Sequence, residues 1–206
     1  MEIEVTGVLL AGGKSRRMGE DKRSLVVGEQ TILERGLAVL SSIFQEVLVV
    51  IAQDSPLLGV DARVVRDLVP DCGSLGGLYT GLMQATTPSI FLVACDMPFL
   101  DPVVIAQFTS RRATADIVMA KLGARLHPMH ALYGKGCLPV MEQMILARQF
   151  KIQEMVSQAS LRVQYVTEAE LLTIDPSWRS FYNVNTQADL EVARSLLARV
   201  PPSGQL

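Results

Sequence analysis

The chain has 206 residues, of which 49% are hydrophobic and 19% charged, with a formal net charge of -2. That balance suits one large folded domain rather than a disordered chain, and the charge offers no electrostatic case for wrapping nucleic acid. Three widely spaced cysteines, Cys72, Cys95 and Cys137, and only two histidines, His127 and His130, support neither a disulfide framework nor a zinc site.

In chain order, Val5 to Leu10 is an apolar run that breaks into a glycine-rich loop. Thr31 to Phe44 carries Ile32, Leu33, Leu37, Leu40 and Phe44 near one helical face, with Thr31 placed to cap it. Val47 to Ile51 is apolar throughout, as a strand covered on both faces is. A short strand at Ala62 to Val65 precedes a helix at Leu75 to Ala85, opened by glycines. Ile90 to Ala94 is another buried strand, ended by Cys95-Asp96-Met97-Pro98; Asp101 then caps a helix to about Arg111 with Pro102 in its first turn.

The second half is less regular. Asp116 to Lys121 and Pro128 to Tyr133 read as antiparallel strands joined through Leu122-Gly123-Ala124. Gly136 to Leu146 and Gln149 to Gln158 read as helices, Leu161 to Val166 as a late strand, and Thr186 to Ala198 as a closing helix capped by Thr186. The alternation predicts an α/β fold, a single-domain Rossmann-like three-layer αβα sandwich. Its sheet is mostly parallel, with an antiparallel element in the second half. The domain is expected over residues 1–198, followed by a frayed tail at 199–206. No apolar run reaches membrane-spanning length, and the acidic start Met1-Glu2-Ile3-Glu4 is unlike a signal peptide, so a cytoplasmic chain away from membranes is expected.

The first loop carries the strongest chemical signal. In open α/β sheets ligands sit beyond the carboxyl ends of the strands, where Ala11 to Lys22 is expected. Gly12 and Gly13 let backbone N–H groups approach an anion without an intervening Cβ. Lys14, Arg16, Arg17, Lys22 and Arg23 put five cations within ten positions, a density that suits a polyphosphate. Gly13-Lys14-Ser15 mimics the end of a Walker A loop, but that motif needs glycine where Val8 stands. No GxGxxG follows the strand, so a dinucleotide site is unsupported. The plain alternative is a solvated basic loop.

The stretch Leu10-Ala11-Gly12-Gly13-Lys14-Ser15-Arg16-Arg17-Met18-Gly19, with Lys22, resembles the signature of the molybdenum cofactor nucleotidyltransferases. The likeness is strongest to the guanylyltransferase family, whose members transfer GMP from GTP to molybdopterin. The wider LxxGxxxRMxxxK pattern also occurs in sugar-phosphate nucleotidylyltransferases. It therefore implies the reaction type more specifically than the acceptor.

Two aspartates follow expected strands. Mg²⁺ prefers a few carboxylate oxygens completed by substrate phosphate and water. An aspartate at a buried strand end beside a phosphate loop suits that role, and Asp96 stands there; its plain alternative is a turn cap before Met97-Pro98. Asp67 follows Val64-Val65, and its plain alternative is a surface loop. Cys95-Asp96-Met97-Pro98 resembles the family segment whose aspartate binds Mg²⁺. Asp67 with Gly73-Ser74-Leu75-Gly76-Gly77 resembles the segment that contacts the nucleotide, with Asp71 as an alternative. Ser74 stands where the family commonly has proline and Gly76 where it has alanine. The family's nucleotide-contacting Asn after the second strand is missing; Ile51-Ala52-Gln53 stands there, with Gln53 as the candidate substitute.

Further on, His127-Pro128 resembles a family His-Pro before an acceptor-side strand, which implies contact between His127 and the pterin. A partly buried strand-edge histidine is the plain alternative. Strand alternation is expected to bring His130 to the same face. Phe181-Tyr182-Asn183-Val184-Asn185-Thr186 resembles the family's F-x-N-(VI)-N-T segment; Asn183 and Asn185 would share a face toward the acceptor, unless Asn185 is only a turn residue before Thr186.

The resemblance implies a nucleotide-binding half at 1–100 and an acceptor-binding half at 101–198. Its implied chemistry is an in-line displacement on GTP. Leu10, Ala11, Gly12, Gly13, Lys22, Asp67 and Asp96 bind the nucleotide, Asp96 holds Mg²⁺, and Arg16, Lys22 and Asp96 act in catalysis. It also implies transient contact with other cofactor-biosynthesis proteins or molybdoenzyme chaperones. CTP in place of GTP, a sugar- or metabolite-phosphate acceptor, and a non-catalytic nucleotide-binding regulatory domain remain the alternatives.

Overall fold

The computed structural model describes residues 4–12 and 21–198. Strand β1 (Val5–Leu10) is buried along its whole length. Its alternate side chains feed opposite faces: Val5 and Leu9 join one apolar cluster, Val8 and Leu10 another. Both faces must therefore be covered. A hairpin of β2 (Val26–Val27) and β3 (Gln30–Thr31) follows, turning at Gly28 with φ +74°. Helix α1 (Ile32–Ile43) starts at the expected cap: Thr31 Oγ1 accepts the Glu34 N–H while the Glu34 carboxylate accepts the Thr31 N–H.

Strands β4 (Val47–Ile51) and β5 (Arg63–Arg66) lead to helix α2 (Gly73–Gln84) and strand β6 (Ser89–Ala94). Helix α3 (Pro102–Thr109) begins with Asp101 accepting the Val103 N–H. Strands β7 (Ile117–Leu122) and β8 (Arg125–Gly134), helix α4 (Leu138–Leu146), strand β9 (Val163–Thr167), helix α5 (Glu168–Leu172) and helix α6 (Gln187–Ala198) complete the order.

The large sheet runs β5-β4-β1-β6-β8-β7-β9. Every pairing in it is parallel except those of β8, which runs against β6 and β7. Helices α1, α3 and α5 pack into the cluster on one face, α2 and α4 into the cluster on the other. The expected Rossmann-like three-layer αβα sandwich is therefore present, with its antiparallel strand in the second half. A third cluster, including Leu25, Val27, Ile32, Val184 and Leu190, packs α6 against the hairpin. This brings Asn185, just before α6, beside Lys22. No helix among the described residues is long and apolar enough to cross a membrane.

Two expectations change. The helix expected at Gln149 to Gln158 is a 3₁₀ helix over Ile152–Ser157; Arg148, at φ +56°, ends the α-helical run before it. The hairpin and α5 were not anticipated, because elements of two and five residues show no readable period. Strand β8 starts at Arg125 rather than Pro128, so His127 lies inside it rather than before it. There the pairing jumps from Met119↔Ala131 to Ala120↔His127, leaving Pro128, Met129 and His130 without partners in β7. Such a bulge tolerates a proline that a regular central strand would reject. The tail at 199–206 lies outside the described residues.

Candidate functional site

The chain runs outward from β1 to β4 and β5, then returns through α2 to β6 on the other side of β1. That reversal opens a crevice beyond the carboxyl ends of β1 and β6, where an open α/β sheet binds ligands. A cavity of about 300 Å³ lies there. Leu10, Ala11 and Gly12 reach it from β1, Ala52 from β4, Asp67 from β5 and Asp96 from β6. Lys22 enters from the loop after β1. Of the expected site residues, Gly13 and Arg16 lie outside the described residues.

Gly12 passes close under β4. A Cβ there would sit 2.9 Å from Ala52 N and 3.3 Å from Ile51 C. Both obstacles are backbone, so neither can rotate away. Gly12→Ala is expected to destabilise the fold by about 1–3 kcal/mol, as overpacking does, read as a lower urea midpoint; an unchanged midpoint would contradict this close approach.

Lys22 Nζ lies 3.4 Å from Asp96 Oδ2 and donates to Asn185 Oδ1 at 2.8 Å. Residues 163 positions apart thus meet at one ammonium group. Asn185 is held in turn by the cap of α6, its N–H donating to Asp189 Oδ2 at 2.9 Å. Asp96 Oδ1 is buried and has no hydrogen-bond partner. Burial pushes the Asp96 carboxyl above its usual range, and the nearby Lys22 ammonium opposes that rise. The neighbouring Cys95 thiol is pushed up to about 12 by burial and by Asp96, so it is no thiolate at neutral pH.

Asp67 lines the far end of the same cavity. Its Oδ1 accepts from Val69 N and Thr80 Oγ1, both at 3.0 Å. Burial raises its carboxyl while those two hydrogen bonds oppose the rise. Asp71 takes a positive φ of 65° and does not line the cavity, which separates it from Asp67. The Gly73–Gly77 segment is the opening of α2 rather than a loop. A Cβ on Gly76 would meet Val69 O at 2.7 Å, so the alanine common elsewhere does not fit this backbone. Gln53, the candidate for the missing asparagine, donates its amide to the Asp67 carbonyl oxygen, and Ala52 beside it lines the cavity.

Asp67 and Asp96 follow strands three places apart in the sheet. At roughly 4.8 Å per strand, they are separated by about 14 Å. They cannot share one ion, but an extended molecule laid across the strand ends can touch both. Asn183 and Met129 also line this cavity, and both line a second one of about 470 Å³ beside it. The second cavity is walled by Arg125, His127, His130 and Gln153. Met129 and Gln153 were missed from sequence, because a methionine in an apolar strand and a glutamine in a weakly patterned segment carry no local sign of a site.

His127 and His130 both contact the Phe181 ring, at centroid distances of 5.0 and 4.8 Å. Residues three apart point oppositely in a regular strand, so simple alternation was the wrong reason for their shared side; the bulge turns them together. His130 is fully buried, its ring nitrogens without a well-formed hydrogen bond, and the nearby Ser180 backbone only partly opposes the effect of burial. Burial, then the neighbouring His127, lowers it to about 3; burial, then Arg125, lowers His127 to about 4. Both are neutral in the fold, whereas unfolded histidines titrate near 6.5. As pH falls below about 6.5 the unfolded state takes up protons first, so stability declines until the folded groups also charge. His130→Leu should remove roughly 1.5 kcal/mol of the loss between pH 6.5 and 5. Urea unfolding at the two pH values checks this, and an unchanged pH dependence would contradict it.

With this geometry in place, relatives become informative. Residues 7–163 match the family model described as a MobA-like NTP transferase domain. A protein of Pelotomaculum thermopropionicum named a probable molybdenum cofactor guanylyltransferase is 35% identical over 192 residues, covering 93% of each chain. The molybdenum cofactor guanylyltransferase of Desulfosudis oleivorans is 32% identical over 195 residues, covering 94% of this chain and 96% of its own. The solved structure of molybdopterin-guanine dinucleotide biosynthesis protein A from Archaeoglobus fulgidus superposes with a TM-score of 0.81 at 25% identity, covering 95% of this chain and all of that one. A switch-point crevice holding a lysine and two strand-end aspartates, on a fold and sequence shared with these proteins, identifies the chain as a nucleotidyltransferase belonging to the MobA-like NTP transferase family.

Proposed function

We propose that this nucleotidyltransferase acts in molybdenum cofactor biosynthesis, transferring GMP from GTP to molybdopterin with Mg²⁺ and releasing pyrophosphate. The observation that carries this reading is the row of strand ends spanning Asp67, Gly12 and Asp96, with the Lys22 ammonium at its Asp96 end. A nucleoside triphosphate has the length to lie along it, with base and ribose toward Asp67 and phosphates toward Gly12 and Lys22. The choice of GTP and molybdopterin is supported by relatives that carry those activities in their names.

Asp96 fits a divalent metal. Its Oδ1 is buried and unpartnered, a position that an ion relieves. Among the described residues no group of three or more His, Cys, Asp or Glu side chains surrounds a common point. That suits Mg²⁺, which takes one or two carboxylates and leaves its other positions to phosphate and water. When bound, the metal would neutralise charge on the phosphate oxygens.

The chain's own groups do the rest. Gly12 lets the loop backbone approach the phosphates, and Lys22 balances charge as it moves onto the leaving group. The terminal phosphate of the acceptor attacks the α-phosphorus. A phosphorus–oxygen bond forms to the acceptor while the bond to the β-phosphate oxygen breaks, and pyrophosphate departs with that electron pair. The acceptor oxygen is already ionised at neutral pH, so no protein nucleophile or base is required. The second cavity adjoins the first through Asn183 and Met129, which suits an acceptor entering from the β8 side with Asn183 and His127 against it. Asn185 holds Lys22 in line. Residues 1–100 then serve mainly the nucleotide and 101–198 mainly the acceptor.

A thermal-shift comparison of GTP, CTP, ATP and UTP with Mg²⁺ tests this. GTP at one hundred times its dissociation constant should stabilise by about 2.7 kcal/mol, and the others less at equal concentration. A preference for CTP would remove the guanylyl assignment, and no shift with any nucleotide would remove the nucleotide site.

A further inference from the structure

Arg23 is one of the five cations of the first loop, but the transfer described above gives neither it nor Asp21 a role, and both line the same cavity. Asp21 Oδ1 accepts the Arg23 N–H at 3.0 Å, which starts the 3₁₀ turn Lys22–Ser24. The Asp21 carboxylate also takes Arg23 Nε at 2.9 and 2.8 Å, and Nη2 as well. The pair is unequal: the Arg23 side chain is 12% exposed and that of Asp21 46%. Arg23 Nη1 is buried with no hydrogen-bond partner.

Adjacent residues therefore bring two cations to one cavity, Lys22 beside Asp96 and Arg23 beside Asp21. A guanidinium is a rigid fork of five N–H donors matched to phosphate oxygens, and leaving one of its nitrogens buried and unpaired is costly. A half-exposed carboxylate is a weak partner that solvent screens. It can orient the fork without satisfying it. A phosphate, anionic and rich in acceptors, is a stronger partner than that carboxylate for the part of the fork that faces the cavity.

We propose that Arg23 is a phosphate-binding residue of this site, held toward the cavity by Asp21 and completed by a phosphoryl oxygen of the substrate. This rests on reading the cavity as the nucleotide site. The oxygen belongs either to the polyphosphate of the nucleotide or to the phosphomonoester of the acceptor, since the reaction brings the two together.

Titration calorimetry with inorganic pyrophosphate and Mg²⁺ on Arg23→Gln and the parent protein, with the acceptor KM measured on both, tests the proposal. Loss of charged hydrogen bonds predicts binding weaker by about tenfold or more, with the Tm of the variant close to that of the parent. Weaker pyrophosphate binding assigns the oxygen to the polyphosphate; unchanged pyrophosphate binding with a raised acceptor KM assigns it to the acceptor. Arg23→Lys keeps the charge and loses the fork, so it should fall between the two, and it carries the test if Arg23→Gln does not fold. A folded variant with pyrophosphate affinity and acceptor KM both unchanged overturns the proposal. A parent protein that binds neither pyrophosphate nor GTP overturns the nucleotide site itself, and Arg23 with it.

Discussion

Asp96→Asn is expected to lower turnover on the order of 10³-fold, since charge stabilisation at a phosphoryl group is worth several kcal/mol and each 1.4 kcal/mol is about a factor of ten. The same substitution should not destabilise the fold. The Asp96 carboxyl titrates above its usual range because burial outweighs the Lys22 ammonium. A carboxyl raised by folding contributes its stability at pH values below its unfolded pKa and loses it as pH rises through the folded pKa. At neutral pH the charged form is thus a net cost, which asparagine removes. Single-turnover rates and urea midpoints at pH 7 separate the two effects. Activity within tenfold of the parent would contradict the role given to Asp96. A midpoint several tenths molar lower would contradict the burial argument.

Lys22→Gln should act on both quantities at once. Removing a preorganised charge from a developing leaving group typically costs about 10²–10³ in kcat. It also leaves the Asp96 carboxylate buried without its counter-charge, and leaves Asn185 Oδ1 without its donor. A loss of about 1–3 kcal/mol in stability follows. The pair at 3.4 Å is partly hydrated, with 19% and 20% of the two side chains exposed, which holds the figure below that of a fully buried pair. The double variant Lys22→Gln/Asp96→Asn should recover much of that stability and none of the activity. Strictly additive effects on stability would show that the two groups are not coupled.

The parts of this site legible in the sequence are those with a local cause. Leu10 to Gly12 could be read because a buried strand that breaks into glycines has few other uses; the 2.9 Å approach to Ala52 N adds a packing reason for glycine that the sequence did not show. Thr31 announced the start of α1 as its cap, and in the structure Glu34 completes a capping box with it. Asp96 stood at the end of an unbroken apolar run, and that run is β6. The cap of α6 was legible at Thr186, although the pairing of Asn185 with Lys22 was not; it depends on α6 packing against the hairpin, and neither segment signals the other.

What could not be read shares that origin. The shared side of His127 and His130 follows from a bulge opposite β7, which no strand period encodes. The hydrogen bond from the Gln53 amide to the Asp67 carbonyl oxygen depends on the position of β5, which the residues around Gln53 do not signal. Gly76 stands where alanine is common in the family, and only the position of Val69 O shows why alanine does not fit here. Met129 became part of two cavities only because β8 is inserted against the direction of its neighbours. Each of these is a tertiary effect acting on a residue whose local sequence is ordinary.

The most direct test of the whole account is one incubation of the protein with molybdopterin, Mg²⁺ and GTP labelled at the α-phosphate. The account predicts label in a pterin guanine dinucleotide and one pyrophosphate released per label transferred. Label remaining in GTP, or transfer from CTP in preference to GTP, would contradict it.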